Sequence, residues 1–514
     1  MNLFFKKSLT SLLLILSLLF SFFSCQEVKD EGEVPENKEG HIDENDDGIC
    51  DDCSCSVIVF FDFYAINDLH GKITDSTTQP GIEELTSYLK AKKEENSNTV
   101  FLSSGDMWQG SSASNLTEGL IVTDWMNEMD FSSMTIGNHE FDWGEEPIEA
   151  NSEFAEFPLL GINIYDRNTN KQVDYCQSST ITVVNGVKIG IIGAIGDCYS
   201  SIASDKTEDV YFKVGNDLTA LVKNESKKLK AQGADIIVYS LHDGYGKSNN
   251  STESISNGKL ASYYDIELSA GGYVDVVFEG HSHQSYVLRD AAGVYHLQGG
   301  GDNNGISHAK LAINFARNES DVVNATAVKN SAYRNYKSDE LVENLLTKYE
   351  DKIAMADIVL GTNSRTRYSD EIKQKIADLY CELGIELWGD EYDIFLGGGY
   401  ISTRSPYNLA AGEVKYSDLQ MLLPFDNTIV LCSISGSDLK RRFTETTNND
   451  YYISYSDYGE SFVDSINSNK TYYIVTDSYC SSYSANKLTV IKTHKDGVYA
   501  RDLLAEYIES GAYN

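Results

Sequence analysis

Short apolar runs that stop abruptly at polar residues set the rhythm of the first 300 residues. Residues 57–66 read as a strand and end at Asn67-Asp68, followed by Leu69-His70-Gly71; residues 99–104 end at Gly105-Asp106; residues 133–136 end at Gly137-Asn138-His139-Glu140-Phe141-Asp142. Residues 187–195, 236–241 and 274–278 repeat the pattern, the last two stopping at His242-Asp243-Gly244 and Gly280-His281-Ser282-His283. Between them lie segments of helical spacing: residues 83–95, where Leu85, Tyr88 and Leu89 share a face, then 120–129 and 217–232. Buried strands alternating with helices predict an α/β layered fold. Polar residues just past strand C-terminal ends are where open α/β sheets place their sites.

Later segments change character. Residues 297–328 become β-like, and 339–356 predict one amphipathic connecting helix, with Leu341, Leu345, Tyr349 and Ile353 in register. A second unit is expected over 357–514, with a helix near 370–383, a turn at Gly397-Gly398-Gly399 and a closing helix at 498–510. No internal repeat is visible.

The start of the chain belongs to neither unit. Lys6 and Lys7 precede an almost unbroken apolar stretch, 12–23, which reads as an export signal and is too short to span a bilayer comfortably. Ser24-Cys25 follows where a bacterial lipoprotein is cut and its cysteine acylated, although Phe22 stands where Leu is usual. Acylation of Cys25 would anchor the mature chain to a membrane. The expected location is therefore exported, as a lipoprotein of the bacterial cell surface or facing the periplasm; the alternative is a plain secretory signal with Cys25 incidental. Residues 25–56 are an acidic linker of low hydrophobicity. Within it Asp43, Asn45, Asp47 and Gly48 match the start of a calcium loop, but Ser54 holds the twelfth position where a bidentate Glu is needed. His41, Cys50, Cys53 and Cys55 allow a small zinc or disulfide knot instead; the preferred reading is a linker with weak calcium affinity at most.

A length of 514 residues implies two or three domains, and a 41% hydrophobic fraction supports buried cores. Lys+Arg 41 against Asp+Glu 78 leaves a net charge of −37, which repels phosphate backbones and argues against long nucleic acid as a partner. A small anionic substrate would need cations at its site, and metals can supply that charge. Cys176, Cys198, Cys381, Cys432 and Cys480 have no tight spacing and read as small core residues.

The strand-end residues include Asp68, His70, Asp106, Asn138, His242, His281 and His283. Mixed imidazole and carboxylate donors suit zinc, manganese or iron better than calcium or magnesium. Seven donors exceed one tetrahedral ion and suit two ions sharing a carboxylate. Of 9 histidines in the chain, His70, His139, His242, His281 and His283 stand at strand ends.

This ordered series resembles the calcineurin-like metallophosphoesterases, and more narrowly the group of 5′-nucleotidases, 2′,3′-cyclic phosphodiesterases and UDP-sugar hydrolases. The resemblance implies a four-layer β-sandwich flanked by helices over 57–335, a connecting helix at 336–356 and a smaller α/β substrate-binding domain over 357–514. It implies two divalent transition-metal ions (zinc, manganese or similar), one held by Asp68, His70, Asp106 and His283, the other by Asp106, Asn138, His242 and His281. A hydroxide bridging the ions would attack phosphorus in line. His139, oriented by Asp142, would stabilise phosphoryl charge or protonate the leaving oxygen.

In the second domain the match is looser. The family's Gly-Gly-Gly-Ile-Arg turn has Ile401 in the arginine's place, with Arg404, Arg365 and Arg367 as substitutes. Pro424-Phe425-Asp426-Asn427 and Thr476-Asp477-Ser478-Tyr479 resemble the blocks carrying two base-stacking rings, which would be Phe425 and Tyr479. Ser482-Tyr483-Ser484-Ala485 replaces the usual Gly-Gly-Asp-Gly-Tyr and its ribose-binding carboxylate. The expected activity is hydrolysis of nucleotide phosphate esters outside the cell. The alternatives are hydrolysis of a non-nucleotide ester on the same fold, or a surface binding lipoprotein without turnover.

Overall fold

The computed structural model describes residues 42–45, 48–49, 51, 56–74, 81–245, 255–256, 259–260, 272–290, 292–401, 403–404, 408–444, 451–453, 461–482, 486–494 and 497–513. The expected signal, Cys25, most of the acidic linker and Tyr483-Ser484-Ala485 lie outside them.

The strand Ile58–Ile66 shows how the layers arise. Its residues alternate: Phe61, Phe63 and Ala65 point to one core, Tyr64 and Ile66 to another, so the strand is buried on both faces. It pairs in parallel with Thr99–Ser103 and antiparallel with Gly305–Asn314. The full sheet runs Glu319–Lys329, Gly305–Asn314, Ile58–Ile66, Thr99–Ser103, Phe131–Thr135, Leu159–Leu160. A second six-stranded sheet runs Ser285–Arg289, Tyr295–Gly299, Val276–Glu279, Ile236–His242, Val187–Ile195, Ser179–Val184. The two face each other across a core that includes Phe61, Phe63, Leu102, Ile189, Ile191, Val238 and Phe278.

Helices cover the outer faces. Glu83–Glu95 and Leu120–Glu128 pack on the first sheet through Leu85, Leu89, Ile121 and Trp125. Trp125 is fully buried yet satisfied, its indole N–H donating to Thr86 Oγ1 at 2.9 Å; burying a side chain of that size stabilises the layer by roughly 2–3 kcal/mol. Asn216–Ala231 covers the second sheet through Leu218, Val222 and Leu229.

Two expectations are corrected. The segment 339–356 is not one helix: Glu340–Lys348 and Glu350–Ile353 are separated at Tyr349 (φ −104°, ψ 10°), and Ala354–Asp357 is 3₁₀. Tyr349 leaves the helical path with its hydroxyl donating to Asp124 Oδ2 (3.1 Å), while Val342 and Leu345 pack into the first core. Gly397-Gly398-Gly399 is not a turn but part of the strand Ile394–Tyr400. A Cβ on Gly397 would collide with the Ala377 carbonyl and the Cys381 amide of the helix Ser369–Trp388, so glycine there permits close helix–strand packing.

That strand belongs to a five-stranded sheet, Tyr451–Ile453, Ile394–Tyr400, Thr471–Asp477, Ile429–Ser435, Thr489–Thr493. Its core gathers Ile372, Ile376, Tyr380, Leu431, Val475, Leu504 and Ile508. The helices at its C-terminal end include Ala500–Glu509. Among the described residues Cys176, Cys198, Cys381, Cys432 and Cys480 form no disulfide, and all five are buried, as expected of small core residues.

Candidate metal centre and active site

The expected donors come from five strand ends. Asp68 and His70 follow Ile58–Ile66, Asp106 follows Thr99–Ser103, and Asn138 follows Phe131–Thr135, three parallel neighbours of the first sheet. His242 closes Ile236–His242, and His281 and His283 follow Val276–Glu279, parallel neighbours in the second. The structure brings all seven side chains together. His70 Nε2 lies 3.1 Å from His283 Nε2, and His283 Nε2 lies 3.3 Å from Asp68 Oδ1. His242 Nε2 lies 3.2 Å from Asp106 Oδ2 and 3.1 Å from Asn138 Oδ1, which is 2.9 Å from His281 Nδ1.

Backbone geometry delivers these side chains at a cost. Asp68, His70, Asp106, His281 and His283 all have φ between 50° and 67°, a left-handed conformation rare outside glycine. Each costs of order 1 kcal/mol and persists where the surroundings over-determine it. Here the surroundings are hydrogen bonds: Asp68 N–H donates to Gly105 O (2.9 Å), His70 N–H to Asp106 O (3.1 Å) and His281 N–H to Asp68 Oδ2 (2.8 Å).

Glu140 has no role in the motif reading, yet it holds the centre of this scaffold. Wholly buried, its carboxylate accepts N–H groups from Gly137 (2.7 Å), Met107 (2.8 Å) and Asp106 (2.9 Å). Burial, with the nearby Asp106 charge adding, pushes its pKa up to about 7. Its place inside Gly-Asn-His-Glu was the available signal; that it turns inward is a tertiary fact. Cys198, read as an ordinary core residue, lies beside His242 and His281 with its thiol donating to His242 O at 3.0 Å.

The donor set fits divalent metal. Asp106 Oδ2 and His281 Nε2 are buried without a hydrogen-bond partner. The ligand atoms of Asp68, His70 and His283, and those of Asp68, Asp106 and His242, each fall within 4.8 Å of one another. Donors about 2.1 Å from a shared tetrahedral ion stand about 3.4 Å apart, close to the separations above. Outer contacts are also in place: His70 Nδ1–H donates to Gln109 O (2.9 Å) and His242 Nδ1–H to Ser104 O (2.6 Å), which leaves each Nε2 as the free donor. Burial, with the Arg404 charge adding, holds His70 neutral, well below the usual histidine range.

His139 faces the same space. Its backbone N–H donates to Asp106 Oδ1 (2.8 Å), its Nδ1–H to Asp142 Oδ2 (2.8 Å), and its Nε2 accepts from Arg404 Nη2 (2.9 Å). The Phe425 ring stacks on it at 5.9 Å between centroids and 27° between planes, and Arg404 sits 5.3 Å over Phe425. Phe425, Tyr479, Asn427, Asp477, Tyr380 and Ile401 line a shallow pocket that opens to solvent. Arg365 and Arg367 are not brought here: Arg365 pairs with Glu371, and Arg367 lies 3.8 Å over the Tyr513 ring and donates to Asn363. Of the linker loop, Asp43 Oδ2 accepts from Gly48 N–H (3.0 Å) at Gly48 φ +80°; Asp47 and Ser54 lie outside the described residues.

Comparison with known proteins adds the family. Residues 61–285 match the calcineurin-like phosphoesterases, and residues 394–492 match the 5′-nucleotidase C-terminal domain. An apyrase of Tabanus yao is 31% identical over 204 residues, 40% of this chain and 33% of the apyrase. The protein UshA of Yersinia enterocolitica is 23% identical over 395 residues, 68% of each chain. The match thus spans a third of the apyrase's length and about two thirds of UshA's. A 5′-nucleotidase precursor from Thermus thermophilus shares the fold, with a TM-score of 0.64 at 16% identity over 88% of this chain and 96% of that one. With two six-stranded sheets packed face to face and donors at their strand ends, the chain belongs to the calcineurin-like metallophosphoesterases and carries a 5′-nucleotidase-type C-terminal domain.

Proposed function

We propose that this chain is an exported, metal-dependent hydrolase of nucleotide phosphate esters. The observation that carries the reading is the placement of His139, Arg404 and Phe425 directly beside the seven-donor cluster. Asp68, His70, Asp106 and His283 would hold one divalent ion, and Asp106, Asn138, His242 and His281 the other, zinc and manganese both suiting this donor chemistry. When bound, such ions would supply positive charge for the phosphoryl group and a lowered pKa for an attacking water.

The chain's own groups do the rest. Asp142 accepts the Nδ1 proton of His139 and so points Nε2 at the substrate space. In the free protein the Arg404 guanidinium occupies that Nε2. An arriving phosphate competes for Arg404 with a bidentate, charge-assisted contact, which frees Nε2 to take a proton from solvent and give it to the leaving oxygen. Phe425 and Tyr479 border the pocket where a base would stack. Export with acylation at Cys25 rests on the N-terminal pattern alone.

Chain lacking residues 1–25, loaded with manganese or zinc, is tested on AMP, ADP, 2′,3′-cyclic AMP, UDP-glucose and bis(4-nitrophenyl) phosphate. Specificity constants highest for nucleotides are expected; metal-loaded protein without turnover on any of them overturns the proposal. A higher constant for the nitrophenyl ester favours the second reading, a non-nucleotide esterase, which the loss of the Gly-Gly-Asp-Gly-Tyr carboxylate supports. In cells, Cys25→Ala should abolish incorporation of a labelled fatty acid; unchanged labelling refutes the anchor.

A further inference from the structure

Lys72 is the second residue after His70, and nothing in the mechanism above uses it. Its backbone N–H closes a tight turn onto Leu69 O (3.2 Å), directly after the donor His70. Its side chain is largely sequestered, 13% exposed, a costly environment for an ammonium unless an anion offsets it. Its partner is Asp302, at 3.6 Å between Nζ and Oδ1, too far for a good hydrogen bond. Lysine therefore keeps donors free for another acceptor.

Asp302 is itself tied to the centre. It has φ +53° in the Gly300–Asn303 loop, and its backbone N–H donates to Asp68 O at 2.7 Å. The preceding Gly301 lies so close to the His283 ring that a Cβ there would collide with it. Lys72 and Asp302 thus flank the Asp68, His70 and His283 cluster. Arg404 reaches the other side of this cluster from the C-terminal domain, on His139, whose ring lies 5.2 Å from that of His70. Two cations held apart in a partly buried mouth, on a chain of net charge −37, need a reason. An anion bound between them supplies one.

Resting on the phosphoesterase reading above, we propose that Lys72, held by Asp302, is the second cation of the phosphate clamp, opposite Arg404. A second cation acts most on a second negative charge. Terminal phosphate monoesters are close to dianionic at neutral pH, whereas cyclic diesters carry a single charge. Lys72 therefore biases the site toward monoesters.

The test compares wild type, Lys72→Met, Lys72→Arg and Asp302→Asn as metal-loaded chains. Lys72→Met is expected to raise KM for AMP about tenfold with kcat within about threefold, and to leave 2′,3′-cyclic AMP within about twofold. Lys72→Arg retains most of the wild-type preference, and metal content is unchanged in all four. Asp302→Asn, which loosens the tether, shifts the preference in the same direction as Lys72→Met and by less. A second arm titrates inorganic phosphate into the same proteins by calorimetry, where Lys72→Met should weaken binding about tenfold. This arm needs no turnover, so it reads Lys72 even if no nucleotide proves to be a substrate. Equal losses on both esters, or phosphate affinity unchanged in Lys72→Met, overturn the inference. So does a lower unfolding temperature with an intact monoester preference, which would make Lys72 a tether of the 300–303 loop only.

Discussion

His139 illustrates how little a side chain's identity says until its contacts are known. One nitrogen is committed to Asp142, the other to Arg404, and the ring is stacked by Phe425. Because both of its ring nitrogens are taken by Asp142 and Arg404 and its contact to Asp106 is through the backbone, His139→Asn should keep the metal content of wild type while kcat falls by about 10² to 10⁴. Elemental analysis beside kinetics checks this; lost metal would assign His139 to the cluster instead. Asp477 gives a second prediction at this scale. Burial, with the Asp205 charge adding, pushes its pKa up to about 6, against about 3.9 in an unfolded chain. Between those values the folded protein binds the extra proton, so this residue's contribution to stability is present below about pH 4 and is lost as pH rises to about 6. Asp477→Asn removes that slope: relative to wild type its unfolding free energy should improve by roughly 1–3 kcal/mol from pH 4 to pH 7. Urea titrations across that range measure it, and a constant difference would refute it. Residue types at strand ends were legible in the sequence because ligand chemistry needs particular atoms. The inward turn of Glu140, the thiol of Cys198 beside His242 and the parking of Arg404 on His139 depend on contacts between distant segments, which no local pattern encodes.

Elements with strong periodicity were legible nearly to the residue. The expected 83–95 and 187–195 coincide with Glu83–Glu95 and Val187–Ile195, since one has a clear apolar face and the other is buried on both. The misreadings share a cause. Spacing of Leu341, Leu345, Tyr349 and Ile353 is helical throughout, but Tyr349 is drawn off the path by Asp124, which also receives Lys348. Three successive glycines suggest a turn on local chemistry, yet the strand Ile394–Tyr400 requires the first of them for packing against Ser369–Trp388. Gly397→Ala should therefore cost about 1–3 kcal/mol, because the new methyl meets backbone atoms that cannot rotate away. Chemical denaturation reads the loss; an unchanged midpoint would show that the helix can retreat.

At the scale of the molecule, the two sheets and the C-terminal domain meet at the site. Gln109, whose carbonyl accepts from His70, donates its amide to Pro424 O at 3.2 Å, and Thr428 donates to Asp205 Oδ2 at 2.8 Å. Ions in the donor cluster would relieve the like-charge crowding of Asp68 and Asp106. Removing metal with a chelator should then lower the unfolding temperature, by the equivalent of about 4 kcal/mol if ions had been present at a thousand times their dissociation constant. Calorimetry before and after chelation, with restoration by zinc or manganese, checks this; an unaltered transition would mean that the cluster folds equally well empty. By itself the sequence determined the layered α/β class, the order of the strands that carry polar ends and the donor chemistry available there. These are local properties: periodicity follows from backbone geometry, and ligand preference from side-chain atoms. Only the tertiary structure decided that two separate sheets converge their C-terminal ends on one point. It alone set Arg404 and Phe425, already candidates in the sequence, against His139 and brought Lys72 in beside Asp302, because contacts across hundreds of residues are set by how whole layers pack.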